Sequence, residues 1–201
     1  MKSLALKISM AVLSMIPLVA KAELIVLASP QSNDAYYAKM IDDIFDFHVD
    51  YAKKIIKNGD NVVVLTDKGL YPDYVKALGT KHVAIAPMHD IWMRDFTSAN
   101  PAQPVMFRYT AAGQGGAKKW QAISDEVQDE FKYYSQKAGL QFSQSKLLND
   151  GGNWVEDGYG NVVLSTKFLA DNKLTESEAR KKLMALTGAK QIAFIEADEQ
   201  G

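Results

Sequence analysis

Short apolar runs alternate with longer amphipathic stretches along this chain. ELIVLAS (23–29), NVVVLT (61–66), HVAIAP (82–87), PVMFRYT (104–110), NVVLST (161–166) and QIAFIEA (191–197) are rich in β-branched or aromatic residues and are bounded by turn formers, so each predicts a strand. Unbroken runs such as VVVL suit strands covered on both faces. Between them, Tyr37, Met40, Ile41, Ile44, His48, Tyr51 and Ile55 fall at helical spacing, with Ser32 or Asn33 placed to cap that helix and Gly59 to stop it. Trp120, Ile123, Val127, Phe131, Tyr134 and Ala138 form a second stripe that ends at Gly139. Thr175 and Glu178 have capping-box spacing for a third helix, which runs past Leu183 and Leu186 to Gly188, and PDYVKALG (72–79) predicts a short fourth.

The resulting order is strand, helix, strand, short helix, strand, strand, helix, hairpin, helix, strand, which is an α/β pattern. NWVEDGYGNVVLST reads as a hairpin turned at Asp157–Gly160. Strand–helix–strand units recur at intervals of roughly 60 residues. Nothing resembling a linker divides the chain, so residues 23–201 are expected to form one domain.

The first 22 residues differ in kind. Lysines precede an apolar run, ISMAVLSMIPLVA, which ends in the small residues of AKA; this is the order of a secretory signal peptide cleaved before Glu23. The run is shorter than the roughly 20 residues a bilayer span needs, so no stable membrane insertion is expected after cleavage, and the product is expected to be periplasmic or secreted. Cleavage removes Lys2, Lys7 and Lys21 and takes the formal charge from −1 to −4. Neither value, in the absence of a basic stripe, suits a nucleic-acid partner. The chain has no cysteine, which excludes a thiol nucleophile or a thiolate metal site among its own residues. Of the three histidines, His48 lies on the first helical stripe as a packing residue. His82 opens a strand and is expected at the surface. His89 lacks partners at metal-ligand spacing, so no metal is expected.

Two polar constellations stand out. HDIWMRDF follows a strand, where loops aim ligand-contacting groups. An indole face at Trp92 and a carboxylate at Asp95 together suit a planar delocalised cation, the first through its π-face and the second through paired N–H···O bonds. That description fits a guanidinium. Taken alone, W-x-R-D equally suits a core tryptophan beside a structural ion pair between Arg94 and the aspartates. In the second constellation, NDGGNWVEDGYGN (149–161), Gly151 and Gly152 allow backbone approaches closed to other residues, flanked by Asp150 and Asn153. Taken alone, this is an ordinary turn entering a hairpin.

Together, DIWMRDFTSANP and DGGNWVEDGYGNVVLSTKFL resemble the agmatine deiminase and Porphyromonas-type peptidylarginine deiminase family of the pentein superfamily. The resemblance runs over most of residues 23–201. It implies a pentein-type α/β propeller of ββαβ-like units, about three of five being present. It also implies catalytic carboxylates at Asp95 and Asp150, substrate contacts from Trp92, Asp95, Asp150 and Asn153, and structural support from Arg94, Gly151 and Gly152. Asp150 stands where members commonly carry glutamate. Members attack the guanidinium carbon with a cysteine thiolate while a histidine moves protons, releasing ammonia and leaving a ureido product. The substrate would be a small guanidino compound such as agmatine, or an arginine-containing peptide, with no cofactor.

In that pattern the histidine and cysteine lie beyond the strand resembled by QIAFIEADEQG, where this chain ends. The chain is therefore expected to be the N-terminal part of a longer deiminase and inactive alone. The alternative is an exported, non-catalytic protein that binds a guanidinium or another cationic ligand.

Overall fold

Strands β1 (Leu24–Ala28), β2 (Asn61–Thr66) and β3 (Val83–Ile85) lie side by side in that order as a parallel sheet, with Leu24 opposite Asn61 and Val64 opposite Val83. Parallel neighbours need a crossover, and helices α1 (Ile41–Lys57) and α2 (Tyr71–Leu78) supply the two that this sheet requires. The computed structural model describes residues 24–97, 103–111 and 117–197; the leader expected at 1–22 lies outside them. Side chains of β2 alternate, with Val62, Val64 and Thr66 buried and Val63 and Leu65 partly covered.

Beyond the one-turn helix α3 (Met93–Phe96), β4 (Val105–Arg108) pairs in parallel with β5 (Ser143–Leu148) through the long crossover helix α4 (Ala117–Lys137). The third sheet joins β6 (Val155–Glu156) antiparallel to β7 (Asn161–Ser165). Parallel strand β8 (Gln191–Ile195) follows two helices, α5 (Lys167–Asn172) and α6 (Glu176–Thr187). Asp157 holds the β6–β7 turn by accepting the backbone N–H groups of Tyr159 and Asn161 at 2.8 and 3.1 Å.

Apolar side chains weld the sheets together. Val105 and Phe107 on one face of β4 join Trp154, Leu164, Phe168 and Leu183 in one cluster. Met106, on the opposite face, joins Ala28, Met88, Met93, Phe96 and Phe131 in another. Successive residues of a strand point to opposite faces, so β4 contributes to both cores. Helix α3 serves as a plug in the second core through Met93 and Phe96.

Several expectations need correction. Helix α1 begins at Ile41 and not beside Ser32 or Asn33. Ser32 is committed elsewhere, giving its backbone N–H and its hydroxyl to Asp67. Asp34 instead collects the backbone N–H groups of Tyr36 and Tyr37, which holds the segment in turns. The α4 stripe is rotated: Ser124, Val127, Gln128, Phe131 and Ser135 are buried, whereas Trp120 and Ile123 are exposed. A non-helical Trp120 (φ −129°, ψ 21°) kinks the start of α4. His82 is buried rather than exposed, because its Nδ1 lies 3.0 Å from the Val62 carbonyl oxygen. Strand β5 and helix α5 were not anticipated. SQSKLL carries little apolar signal, and KFLADN is a short helix that stops at Lys173 in the left-handed region (φ 53°).

Candidate active site

Carboxyl ends of strands from two sheets deliver acidic groups to one place, the common location of ligand sites in open parallel sheets. Asp90 and Asp95 follow β3, and Asp150 follows β5. Within α3, burial of Met93 (8% exposed) and Phe96 (0%) leaves Trp92 61% exposed and Asp95 partly covered. Phe96 packs edge-on against Tyr109 and Phe131, with ring centroids 6.0 and 6.1 Å away. The Gln128 amide donates to the Phe96 carbonyl at 3.1 Å. A short helix held this firmly can aim a carboxylate.

Asp150 caps the 3-10 turn Gly151–Asn153, its Oδ1 accepting the Gly152 N–H at 2.7 Å. The turn lies so close to α3 that a Cβ added to Gly151 would sit 2.0 Å from the Arg94 carbonyl oxygen. One added to Gly152 would sit 3.1 Å from both Asp95 Oδ1 and Asp150 Oδ1. The two glycines therefore permit the approach that brings the acids together, at a position where side chains are excluded.

Asp95 and Asp150 therefore crowd each other closely, and two carboxyl groups this near cannot both ionise easily. Burial is the largest reason that Asp95 is pushed up from its ordinary 3.8 to about 7. The negative charge and hydrogen bond of Asp150 add to it, as does the charge of Asp90, while the Gly152 N–H opposes the shift. Tyr109 is buried beside these acids. Its hydroxyl is pushed well above the usual phenol range by burial and then by the charges of Asp150, Asp95 and Asp90.

The supporting residues hold this arrangement from outside. The Arg94 guanidinium donates to the Trp154 carbonyl, linking α3 to the chain after the glycine turn. The ion pair of Arg94 with Asp90 or Asp95 allowed by the sequence does not form: Arg94 is not in the ion pairs among the described residues. Asn153 is engaged within the protein at both ends of its amide. Its oxygen accepts the Ser165 N–H at 2.7 Å and its nitrogen donates to Asn149 at 3.2 Å, which ties the turn to β7. Trp154 is wholly buried against Phe107, with centroids 5.6 Å apart.

His89 lies alongside α4, its Nε2 3.7 Å from Glu126 and 3.8 Å from Glu130. The described residues contain no cluster of three or more side chains suited to a metal. Sequence reasoning missed the Tyr37–Asp90 contact and Tyr109. Both tyrosines follow the carboxyl ends of strands, a positional signal that was available.

A family model described as Porphyromonas-type peptidyl-arginine deiminase matches residues 14–201. Among solved structures, the agmatine deiminase of C. jejuni superposes with a TM-score of 0.68 at 19% identity, covering 88% of this chain and 53% of that one. A cysteine-to-serine form of the C. jejuni agmatine deiminase with substrate bound gives 0.66 at 19%, covering 88% and 54%. The agmatine deiminase of Enterococcus faecalis gives 0.61 at 15%, covering 87% and 50%. The mixed α/β fold is thus that of agmatine deiminases, and the chain spans about half the length of these structures. No curated protein matches the chain.

Proposed function

Because the chain belongs to the Porphyromonas-type peptidyl-arginine deiminase family, we propose that it carries the guanidinium-binding part of a guanidino-group hydrolase. The observation that carries this reading is the approach of the Asp95 and Asp150 carboxylates across Gly152, with an exposed indole at Trp92 three positions before Asp95. Two carboxylates crowded in a half-buried place repel each other, and a planar cation relieves that repulsion. Guanidinium N–H edges suit the carboxylates, and the Trp92 ring offers the cation a π-face. Asn153, Arg94, Gly151 and Gly152 shape this cradle. On this reading the chain supplies about three units of a five-unit propeller.

The reaction to be served is attack on the guanidinium carbon, loss of ammonia and formation of a ureido product. A guanidinium is a poor electrophile because resonance spreads its charge, so holding the carbon in place is a large part of the work, worth several kcal/mol in favourable cases, about 7 or more. The family's nucleophile is a cysteine thiolate, and this chain contains no cysteine. The chain alone therefore binds guanidino compounds without hydrolysing them. The absence of cysteine also favours the second reading, an exported binding protein for a cationic ligand. Agmatine and peptidyl-arginine present the same group to Asp95 and Asp150, and the expected leader favours an extracytoplasmic arginine peptide.

Calorimetric titration of the 201-residue chain with agmatine and with an Nα-acylated arginine amide tests this reading, alongside an ammonia assay. Binding that is lost in Asp95→Asn and Asp150→Asn, without ammonia release, is the expected result. No binding of either compound would overturn the cradle, and ammonia release would overturn the inactivity.

A further inference from the structure

Of the three acids that follow strands here, Asp95 and Asp150 approach each other across Gly152, whereas Asp90 is tied into the protein. A single oxygen of its carboxylate, Oδ1, accepts the Tyr37 hydroxyl at 3.0 Å and the Ile91 N–H at 2.7 Å. Tyr37 is a fixed partner. Its side chain is buried, Tyr36 packs edge-on against its ring at 4.9 Å, and Asp34 accepts its backbone N–H at 3.4 Å. Burial, and then the Asp90 charge, push the Tyr37 hydroxyl above the usual phenol range, so it stays a donor. A second bond runs beside the first, from the Gln31 amide to the Met88 carbonyl at 3.3 Å. The β1–α1 connection that supplies both donors is itself anchored, because Ser32 gives its N–H and its hydroxyl to Asp67. It lies as a strap against residues 88–91.

From Asp90 the order passes into α3 through the backbone. Ile91, held at its N–H by Asp90, offers its carbonyl to the Met93 N–H at 2.8 Å, and the Trp92 carbonyl accepts the Asp95 N–H at 2.9 Å. A helix of one turn has little stability of its own, so the direction of α3 depends on what grips its two ends. Gln128 grips the far end at the Phe96 carbonyl. The near end is gripped through Asp90. We propose that Asp90 is a positioning residue, whose carboxylate ties the β1–α1 connection to the start of α3 and so sets where Asp95 stands, rather than a third acid that takes the cation. The effect on affinity rests on the guanidinium-binding reading above; the effect on the loop does not.

The test compares Asp90→Asn with Asp90→Ala in the 201-residue chain, above the pH at which Asp95 ionises. Asparagine keeps an oxygen for both donors and gives up the charge, whereas alanine gives up both. Hydrogen exchange of the Ile91 amide is expected to stay slow in Asp90→Asn and to quicken about tenfold in Asp90→Ala and in Tyr37→Phe. By calorimetry, Asp90→Ala and Tyr37→Phe are expected to weaken agmatine binding by about five- to tenfold, and Asp90→Asn by no more than about twofold. The double variant Tyr37→Phe with Asp90→Ala is expected to bind no worse than Asp90→Ala alone. An Asp90→Asn chain that loses as much affinity as Asp90→Ala would show Asp90 acting through its charge and would overturn the proposal. Losses that simply multiply in the double variant, or Ile91 exchange that is the same in every chain, would overturn it too. If the unaltered chain binds no agmatine, the guanidinium reading fails while the Ile91 amide still decides the role of Asp90. Should Asp90→Ala not fold, Tyr37→Phe keeps the packed ring and breaks the same tie; quickened Ile91 exchange supports the proposal, and unchanged exchange refutes it.

Discussion

Asp95 and Asp150 reach the site from different sheets and meet across Gly152, each with its Oδ1 3.1 Å from where a Cβ on that glycine would sit. A proton retained by this pair makes the site responsive to pH. Asp95 is raised from 3.8 to about 7, chiefly by burial and then by Asp150. The folded chain thus holds a proton that the unfolded chain releases near pH 4. The stability contributed by that proton is fully present below the unfolded value and is lost as pH rises through about 7. Thermal unfolding followed by circular dichroism should show a midpoint that falls from about pH 4 to about pH 7, the interval between the unfolded and folded values, and levels off above it. Asp95→Asn should flatten this slope, and equal slopes in the two proteins would count against a proton retained by the pair.

A bound cation should reverse the preference. Guanidinium N–H groups need ionised oxygens, so binding expels the retained proton. Affinity for agmatine should rise about tenfold for each pH unit approaching 7 from below and then level off. Titrations in buffers of different ionisation heat should report close to one proton released per ligand at pH 6, falling toward none at pH 8.5. Binding heats that do not depend on the buffer at pH 6 would contradict this linkage.

Much of this site was legible because its chemistry is local in the chain. Asp95 and Asp150 each sit in a short polar stretch just after a strand, and the structure brings both to one point. The roles of the two tryptophans were not legible. Trp92 and Trp154 both stand among polar residues, yet one is 61% exposed and the other wholly buried. Tertiary packing separates them, Trp154 joining Phe107, Leu164 and Phe168 in a buried cluster. The pairing of SQSKLL with β4 was hidden as well, since a partly exposed strand need not carry an apolar run. The turns at 34–40 depend on where the Asp34 carboxylate goes, a choice that hydrophobic periodicity does not record.

Gln128 is the polar knot beneath the site. It is 2% exposed and serves three backbone groups: its Nε2 donates to the carbonyls of Phe96 at 3.1 Å and Phe107 at 2.8 Å, and its Oε1 accepts the Tyr109 N–H at 3.2 Å. These bonds fasten α3 to β4. Gln128→Leu keeps the volume but strands all three groups in the core, each costing about 1–3 kcal/mol when left unpaired. Urea unfolding should show a loss of about 3 kcal/mol or more. Agmatine binding should weaken too, because Phe96 adjoins Asp95. A loss below about 1 kcal/mol would mean that other groups rescue these bonds.

The two glycines should separate stability from binding. Gly151→Ala places a methyl group 2.0 Å from the Arg94 carbonyl oxygen, and backbone cannot swing aside as a side chain can. Forced apart, α3 and the glycine turn should lose about 2–3 kcal/mol, the range for overpacking a tight contact. In Gly152→Ala the nearest atoms to the methyl group are side-chain carboxyl atoms, Asp95 Oδ1 and Asp150 Oδ1 at 3.1 Å each. Those side chains can yield, so its stability loss should be the smaller of the two. The methyl group would still wedge the acids apart and should weaken guanidinium binding at least tenfold, about 1.4 kcal/mol. Urea titrations paired with calorimetry check both claims. A Gly152→Ala chain that binds agmatine normally would show that the space between the acids is not where the cation sits.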